Sequence, residues 1–308
     1  MAPLFVADEG RRLTRNGYAL YAPAMAKLKD APPKGKAKSA SQAPIFHTSL
    51  SADPEMAEDK NYIAALARGL SVIRAFAYQR DQLTLAEISR LVDLPRATVR
   101  RCLITLNALD YVDSDGKYFS LTPKVLTLSQ AYFSSSPLPH IARPYIEQVS
   151  ASVGESCSVS VLASDEVIYI ARSSRKRSAS IQREVGVNLP AYCTSMGRVL
   201  LSALAPDELD TYFRRVVLRK FNANTVTDEN ELRTILDHVR QDDYATIDGE
   251  LEPNLRAIAV PVRNMSGRIV AACHISTDAS RVSKEKMQAS FLPPLRDAVA
   301  NIRRALVG

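Results

Sequence analysis

The segment from Thr84 to Leu109 constrains this chain more than any other. Thr84 is followed three residues later by Glu87, the spacing of a capping box that opens a helix carrying Leu85, Ile88 and Leu91. Asp93-Leu94-Pro95 then reads as a tight turn, and Pro95 opens a second helix, where its missing N–H is no loss. On that helix Val99, Leu103 and Leu106 recur at i, i+4 and i+7 and face a core. At about 100° per residue, Ala97, Arg100, Arg101 and Ile104 point the other way. Two short helices joined by a tight turn, the second with an outward basic face, form the helix-turn-helix that fits a DNA major groove. Small Ala97 permits close approach, while Arg96, Arg100 and Arg101 reach phosphates or guanine edges. Thr84 and Thr98 complete this candidate DNA-contacting set. The competing reading is a solvated helix face that happens to be basic.

The flanks extend the motif. Ile63, Leu66, Leu70, Ile73 and Phe76 make one apolar stripe on a preceding helix, which Asp81-Gln82 ends. Tyr111 to Leu121 alternates about Asp115-Gly116, a hairpin turn signal, and a hairpin after the recognition helix is a wing. Lys117 beside its tip is a candidate phosphate contact, whereas Asp113 and Asp115 place the tip outside the groove. The winged helix-turn-helix thus spans 61–122. A helical linker with a Ser-Pro hinge follows over 123–137.

Residues 1–60 are different material. Their Pro-, Ala-, Lys- and Ser-rich run from Ala31 to Pro44 cannot bury enough apolar surface to offset the entropy of ordering, so a disordered basic tail is expected. Met56 offers an alternative start. A mobile arm bearing Lys34, Lys36 and Lys38 would add affinity for phosphates without sequence preference.

From 138 onward the pattern changes. A helix to Val153 precedes strands at 157–162, 167–171 and 178–185, helices at 195–204, 206–214 and 228–241, strands at 257–262 and 268–276, and a closing helix from Ser283 to Leu306. Grouped strands with hairpin turns argue for an α+β domain on an antiparallel sheet. The 308 residues, 46% hydrophobic and 24% charged, suit two domains, and no stretch of about 18 apolar residues suggests a membrane span. A formal net charge of +7 suits a polyanion partner. Four cysteines without a CxxC pair argue against a disulfide scaffold or zinc ribbon. His140 and His238 lack neighbours at metal-ligand spacing, and there is neither a GxSxG nor a phosphate loop, so no cofactor and no enzyme activity are expected. Cys157, Cys193 and Cys273 read as core thiols or, if exposed and electropositive, as a redox switch. Polar residues interrupt apolar runs at Ser158/Ser160, Thr194-Ser195, Asp248-Glu250 and His274/Ser276. Each is a satisfied core group or part of a small-ligand cavity, and the N–H groups at the start of the Ser195 helix would suit a carboxylate.

Several long segments resemble the IclR family of bacterial transcriptional regulators. They are Ala67-Arg68-Gly69-Leu70, Leu83 to Ile88, Leu94 to Arg101, Leu189 to Leu200 and Asn254 to Val262. The run Ala191-Tyr192-Cys193-Thr194-Ser195-Met196-Gly197-Arg198 is more specifically similar to the PcaR/PobR/PcaU branch, which controls aromatic-acid catabolism feeding the β-ketoadipate pathway. The resemblance implies a GAF-like effector-binding domain over 138–308 and assembly into dimers that often pair into tetramers. It also implies a cytoplasmic regulator whose partners are promoter DNA, RNA polymerase and a small aromatic acid or dicarboxylate effector. Pocket positions of the family fall on Ser195, Met196, Leu255, Ala257, His274 and Ser276. Ala257 stands where some members have cysteine and His274 where some have serine, departures that fit an aromatic effector better than glyoxylate or pyruvate. Arg172 is either a surface arginine or a carboxylate partner. The rival reading is a metabolite-binding enzyme or non-DNA sensor whose winged helix is a protein-interaction module.

Overall fold

The computed structural model describes residues 59–77, 82–173 and 184–306. The basic arm of the tail, the Asp81 helix break and most of the strand expected at 178–185 lie outside the described residues.

The first domain is built from α1 (Ala64–Ala75), β1 (Leu83–Thr84), α2 (Leu85–Leu91), α3 (Arg96–Ala108), β2 (Val112–Ser114) and β3 (Tyr118–Leu121). Its three strands run antiparallel in the order β1-β3-β2, with Leu83 opposite Phe119 and Val112 opposite Leu121. Strand β1, two residues long, carries no periodicity, and pairing with the wing defines it. Ile88, Val99 and Leu103 form the centre of the core, with Val72 and Ala75 from α1. The phase of α1 departs from its apolar stripe. Ser71, Val72 and Ala75 are buried, Ile73 and Phe76 are half-buried, and Ile63, Leu66 and Leu70 face solvent.

Thr122 caps a 3-10 turn at Pro123–Val125, which runs into α4 (Leu126–Ser135), where every side chain stays at least partly exposed. Ser136 is extended, breaking the connector from α5 (Leu138–Val153).

The second domain is a six-stranded antiparallel sheet. Its strands are β4 (Ser156–Ala163), β5 (Glu166–Ser173), β6 (Asn188–Pro190), β7 (Ala245–Asp248), β8 (Leu255–Arg263) and β9 (Ile269–Asp278), in the order β6-β5-β4-β9-β8-β7. Alternation along the strands divides two cores. Cys157, Val159, Ile258, Val260, Cys273 and Ile275 pack against α5 and the closing helix α9 (Lys284–Ala305). Val167, Tyr169, Ala259 and Ala272 face α6 (Ser195–Leu201), α7 (Pro206–Arg215) and α8 (Glu229–Asp242). Helix α6 is a turn shorter than its sequence suggests and ends at Leu201. Among the described residues no helix is long and apolar enough to cross a membrane.

Candidate DNA interface and effector site

The turn between α2 and α3 is fixed by local chemistry. Asp93 takes a left-handed conformation at φ 50°, one of the few non-glycine residue types that tolerate it. The Ser89 hydroxyl donates to the Leu94 carbonyl at 2.6 Å, and the Leu94 N–H donates back to the Ser89 carbonyl at 3.2 Å. Thr84 caps α2: its hydroxyl accepts from the Glu87 N–H at 3.3 Å, and the Glu87 carboxylate accepts from the Thr84 N–H at 2.9 Å. The Thr84 hydroxyl also donates to that carboxylate at 2.8 Å, so it works inside the box. On α3, Arg96, Ala97, Arg100 and Arg101 are exposed and Thr98 is half-buried, while Val99, Leu103 and Leu106 lie beneath them. The arginines therefore form one solvent-facing basic surface on a helix whose other side is core.

Lys117 stands at the exposed wing, with its ammonium 4.8 Å from the centre of the Tyr118 ring. Asp115 has a structural task there. Its carboxylate accepts the N–H groups of Tyr118 at 2.7 Å and Lys117 at 2.9 Å, and these bonds hold its pKa below the ordinary carboxylate range. An acid at the wing tip is thus explained by the turn it closes.

In the second domain, register gathers the effector candidates on the sheet face that meets α6. Ser158, His274 and Ala259 lie side by side across β4, β9 and β8, and Ser156, Ser276 and Ala257 make the next row. Ser160 neighbours Ala272 on β9 and Tyr169 on β5. The β5 strand carries a bulge here: Val159 faces Ala171 but Ser160 faces Tyr169, so Ile170 is extra. Ile170 and Ala171 join the opposite core, which lets Tyr169 and Arg172, three residues apart, pair with Ser160 and Ser158 on this face. The Tyr169 and His274 rings sit 5.4 Å apart at 50°.

Of the candidates, Ser195, Met196, Ala257 and His274 are buried, and Leu255 and Ser276 are half-buried. Ser160 and Tyr169 were not among the residues transferred by resemblance. Serine in phase with His274 across the sheet was the available signal for the first, while the bulge hid the second. The hydroxyls of Ser160 and Ser195 are fully enclosed and have no hydrogen-bond partner among the described residues. An unsatisfied buried donor costs about 1–3 kcal/mol, so each of these two hydroxyls calls for an acceptor beyond the described side chains.

The start of α6 is held rigidly. Thr194 caps it, accepting the Gly197 N–H at 3.2 Å and donating to the Pro190 carbonyl at 3.1 Å. Gly197 presses against the incoming chain so closely that a Cβ would fall 2.0 Å from the Ala191 carbonyl oxygen. Arg198 reaches Glu250, with nitrogen and oxygen 2.7 Å apart and both side chains buried, and also donates to the Tyr192 carbonyl at 3.0 Å. Burial pushes the Glu250 pKa up while the Arg198 charge opposes it. Asp248 instead accepts from Arg256 at 2.9 and 3.0 Å and pairs with Lys284 at 3.1 Å. These partners hold its pKa below the usual range. Both carboxylates of the Asp248-Glu250 segment are thereby committed to the fold. Cys157, Cys193 and Cys273 are buried, and burial drives the Cys193 thiol up to about 12. These are core thiols, without the exposure a switch requires.

The sequence profile of the IclR helix-turn-helix domain matches residues 65–116, and that of the bacterial transcriptional regulator IclR C-terminal domain matches residues 130–304. The chain belongs to the IclR family. Among its relatives is the Pca regulon regulatory protein of Pseudomonas putida, 40% identical over 277 residues, covering 90% of this chain and 95% of the relative. The p-hydroxybenzoate hydroxylase transcriptional activator of Acinetobacter baylyi is 34% identical over 265 residues, covering 83% and 98% of the two chains. A solved IclR homolog from Microbacterium hydrocarbonoxydans, in complex with 4-hydroxybenzoate, is similar with a TM-score of 0.66 at 25% identity, covering 79% of this chain and 99% of its own. This IclR protein is accordingly a ligand-responsive DNA-binding transcriptional regulator, with the winged helix and the sheet domain as its two parts.

Proposed function

We propose that this IclR regulator controls genes of aromatic-acid catabolism and that its effector is a small aromatic carboxylate. The observation that supports the reading is a polar set on a sheet face packed against a helix start: buried His274 and half-buried Ser276 on β9 with Ala257 and Leu255 on β8, and Ser195 and Met196 opening α6, which packs on those strands. A ring-sized ligand needs apolar walls with a few placed hydrogen-bonding groups. Helix starts favour a carboxylate through N–H groups that lack intrahelical acceptors. The two relatives' names, with their pca regulon and p-hydroxybenzoate hydroxylase, support the same chemistry. So does the 4-hydroxybenzoate complex of the solved homolog.

At the other end, Arg96, Arg100 and Arg101 enter the major groove of promoter DNA, with Ala97 and Thr98 against the bases and Lys117 at the backbone, while Thr84 holds the cap of α2. Two copies of the chain dimerise, doubling the half-site. Ile63, Leu66 and Leu70 on α1, with exposures of 67%, 60% and 48%, supply an apolar stripe for that contact, joined by Leu126, Leu128 and Tyr132 of α4. Effector binding then favours one spacing of the paired reading heads through α4 and changes promoter occupancy or RNA polymerase recruitment.

The test is thermal unfolding of the whole protein against 4-hydroxybenzoate, protocatechuate, β-ketoadipate, pyruvate and glyoxylate. A ligand at about a hundred times its Kd stabilises the folded state by roughly 2.7 kcal/mol, a shift of a few degrees in Tm. The expected result is a shift with an aromatic acid. Shifts confined to pyruvate or glyoxylate would sink the aromatic assignment.

A further inference from the structure

We propose that Ser160 belongs to the effector site and, together with Ser195, donates a hydrogen bond to the acid group of the bound aromatic carboxylate. The inference rests on reading this sheet face as the effector site. It adds a residue from β4, an element from which none of the transferred pocket positions comes.

Ser160 is wholly buried on the face of β4 toward α6, in phase with Ser156, Ser158 and the half-buried Leu162. Its cross-strand neighbours are Ala272, a single methyl, and Tyr169. Its hydroxyl has no partner among the described residues, and neither does that of Ser195, the first residue of α6. The lead-in to α6 is tied to the turn between β4 and β5, where the Ala191 N–H donates to the Asp165 carbonyl at 3.1 Å. Helix α6 packs against β4, β8 and β9, and its Met196 and Val199 share one buried cluster with Tyr169 and Ala272, the cross-strand neighbours of Ser160, so the buried start of α6 and Ser160 belong to the same layer.

The chemistry of that layer selects an acid. A carboxylate only accepts hydrogen bonds and has two oxygens, one for each hydroxyl. Hydrogen bonds to an ionised acceptor are roughly twice as strong as those between neutral groups. The arginine of α6 is already held by Glu250 at 2.7 Å, so neutral hydroxyls are what α6 and β4 offer here. A phenol would present one oxygen to two donors.

Calorimetric titration of the full chain with 4-hydroxybenzoate, benzoate and 4-hydroxybenzamide tests the assignment. Ser160→Ala should weaken both acids by about tenfold, narrowing the preference for the acid over its amide by the same factor. Unliganded Tm should stay the same or rise, because a buried donor without a partner has been removed. Ser195→Ala should give the same acid-against-amide signature. Unchanged acid affinity in Ser160→Ala would overturn the proposal, as would a loss confined to 4-hydroxybenzoate, which would put the ring hydroxyl at Ser160. Failure of the wild-type protein to bind either acid would overturn the effector reading itself, and the role of Ser160 with it. That outcome is seen before any variant is made.

Discussion

Arg100 and Arg101 illustrate which residues can be read from a sequence directly. Their side chains are exposed on α3, so helical phase alone identifies them, and no distant contact alters the result. Replacing either with alanine should weaken operator binding by about 1–3 kcal/mol, measured by fluorescence anisotropy, and leave Tm unchanged. A loss of folding instead would mean that the arginine serves the core. Asp248 is the opposite case. It lies in an acidic segment that resembles a ligand contact, yet its partners are Arg256 and Lys284. Its folded-state pKa lies below that of the unfolded chain, so its stabilising effect is complete at neutral pH and fades as pH falls through the folded value. Asp248→Asn should therefore lower Tm at pH 6–7, and the gap to wild type should close below about pH 4. A gap constant across that range would remove the ion pair from the explanation. Glu250 was equally opaque, because Arg198 is 52 residues away and only folding brings them together.

Among the elements, those with strong local chemistry were legible. The capping box of α2, the Asp115-Gly116 wing and the β8–β9 hairpin lie where their turn residues and periods put them. Strands β1, β6 and β7, two to four residues long, were missed because so few residues carry no alternation, and pairing to a neighbour defines them. Helix α1 was legible as a helix but not in its orientation. Ile63, Leu66 and Leu70 of its apolar stripe turn outward, while Ile73 and Phe76 pack against the core that Val72 and Ala75 enter. Helix α6 depends on an approach no pattern reveals. Gly197→Ala would set a Cβ against the Ala191 backbone, forcing α6 off the sheet. Reduced Tm and a loss of aromatic-acid binding are expected together, by unfolding and titration. Wild-type affinity in this variant would detach the effector site from the α6 start.

At the scale of the whole molecule, the outward stripe of α1 and the exposed face of α4 make assembly the central question. Leu66→Lys should shift the protein toward monomer in sedimentation velocity and weaken operator binding, while preserving the fold, because Leu66 is 60% exposed. An unchanged dimer would move the interface elsewhere. By itself the sequence determined the two-part plan, the reading head and its basic face. These follow from local periods, caps and turns, which depend on neighbours a few residues apart. Tertiary structure alone decided which polar residues share a surface. Ser160 and His274 come from strands well separated along the chain and are put on one face by the register of β4 with β9, and the bulge in β5 adds Tyr169 to it. It also decided that Arg198 and Glu250 satisfy each other in the interior. Long-range pairing depends on the arrangement of the entire sheet, so no window of sequence contains it.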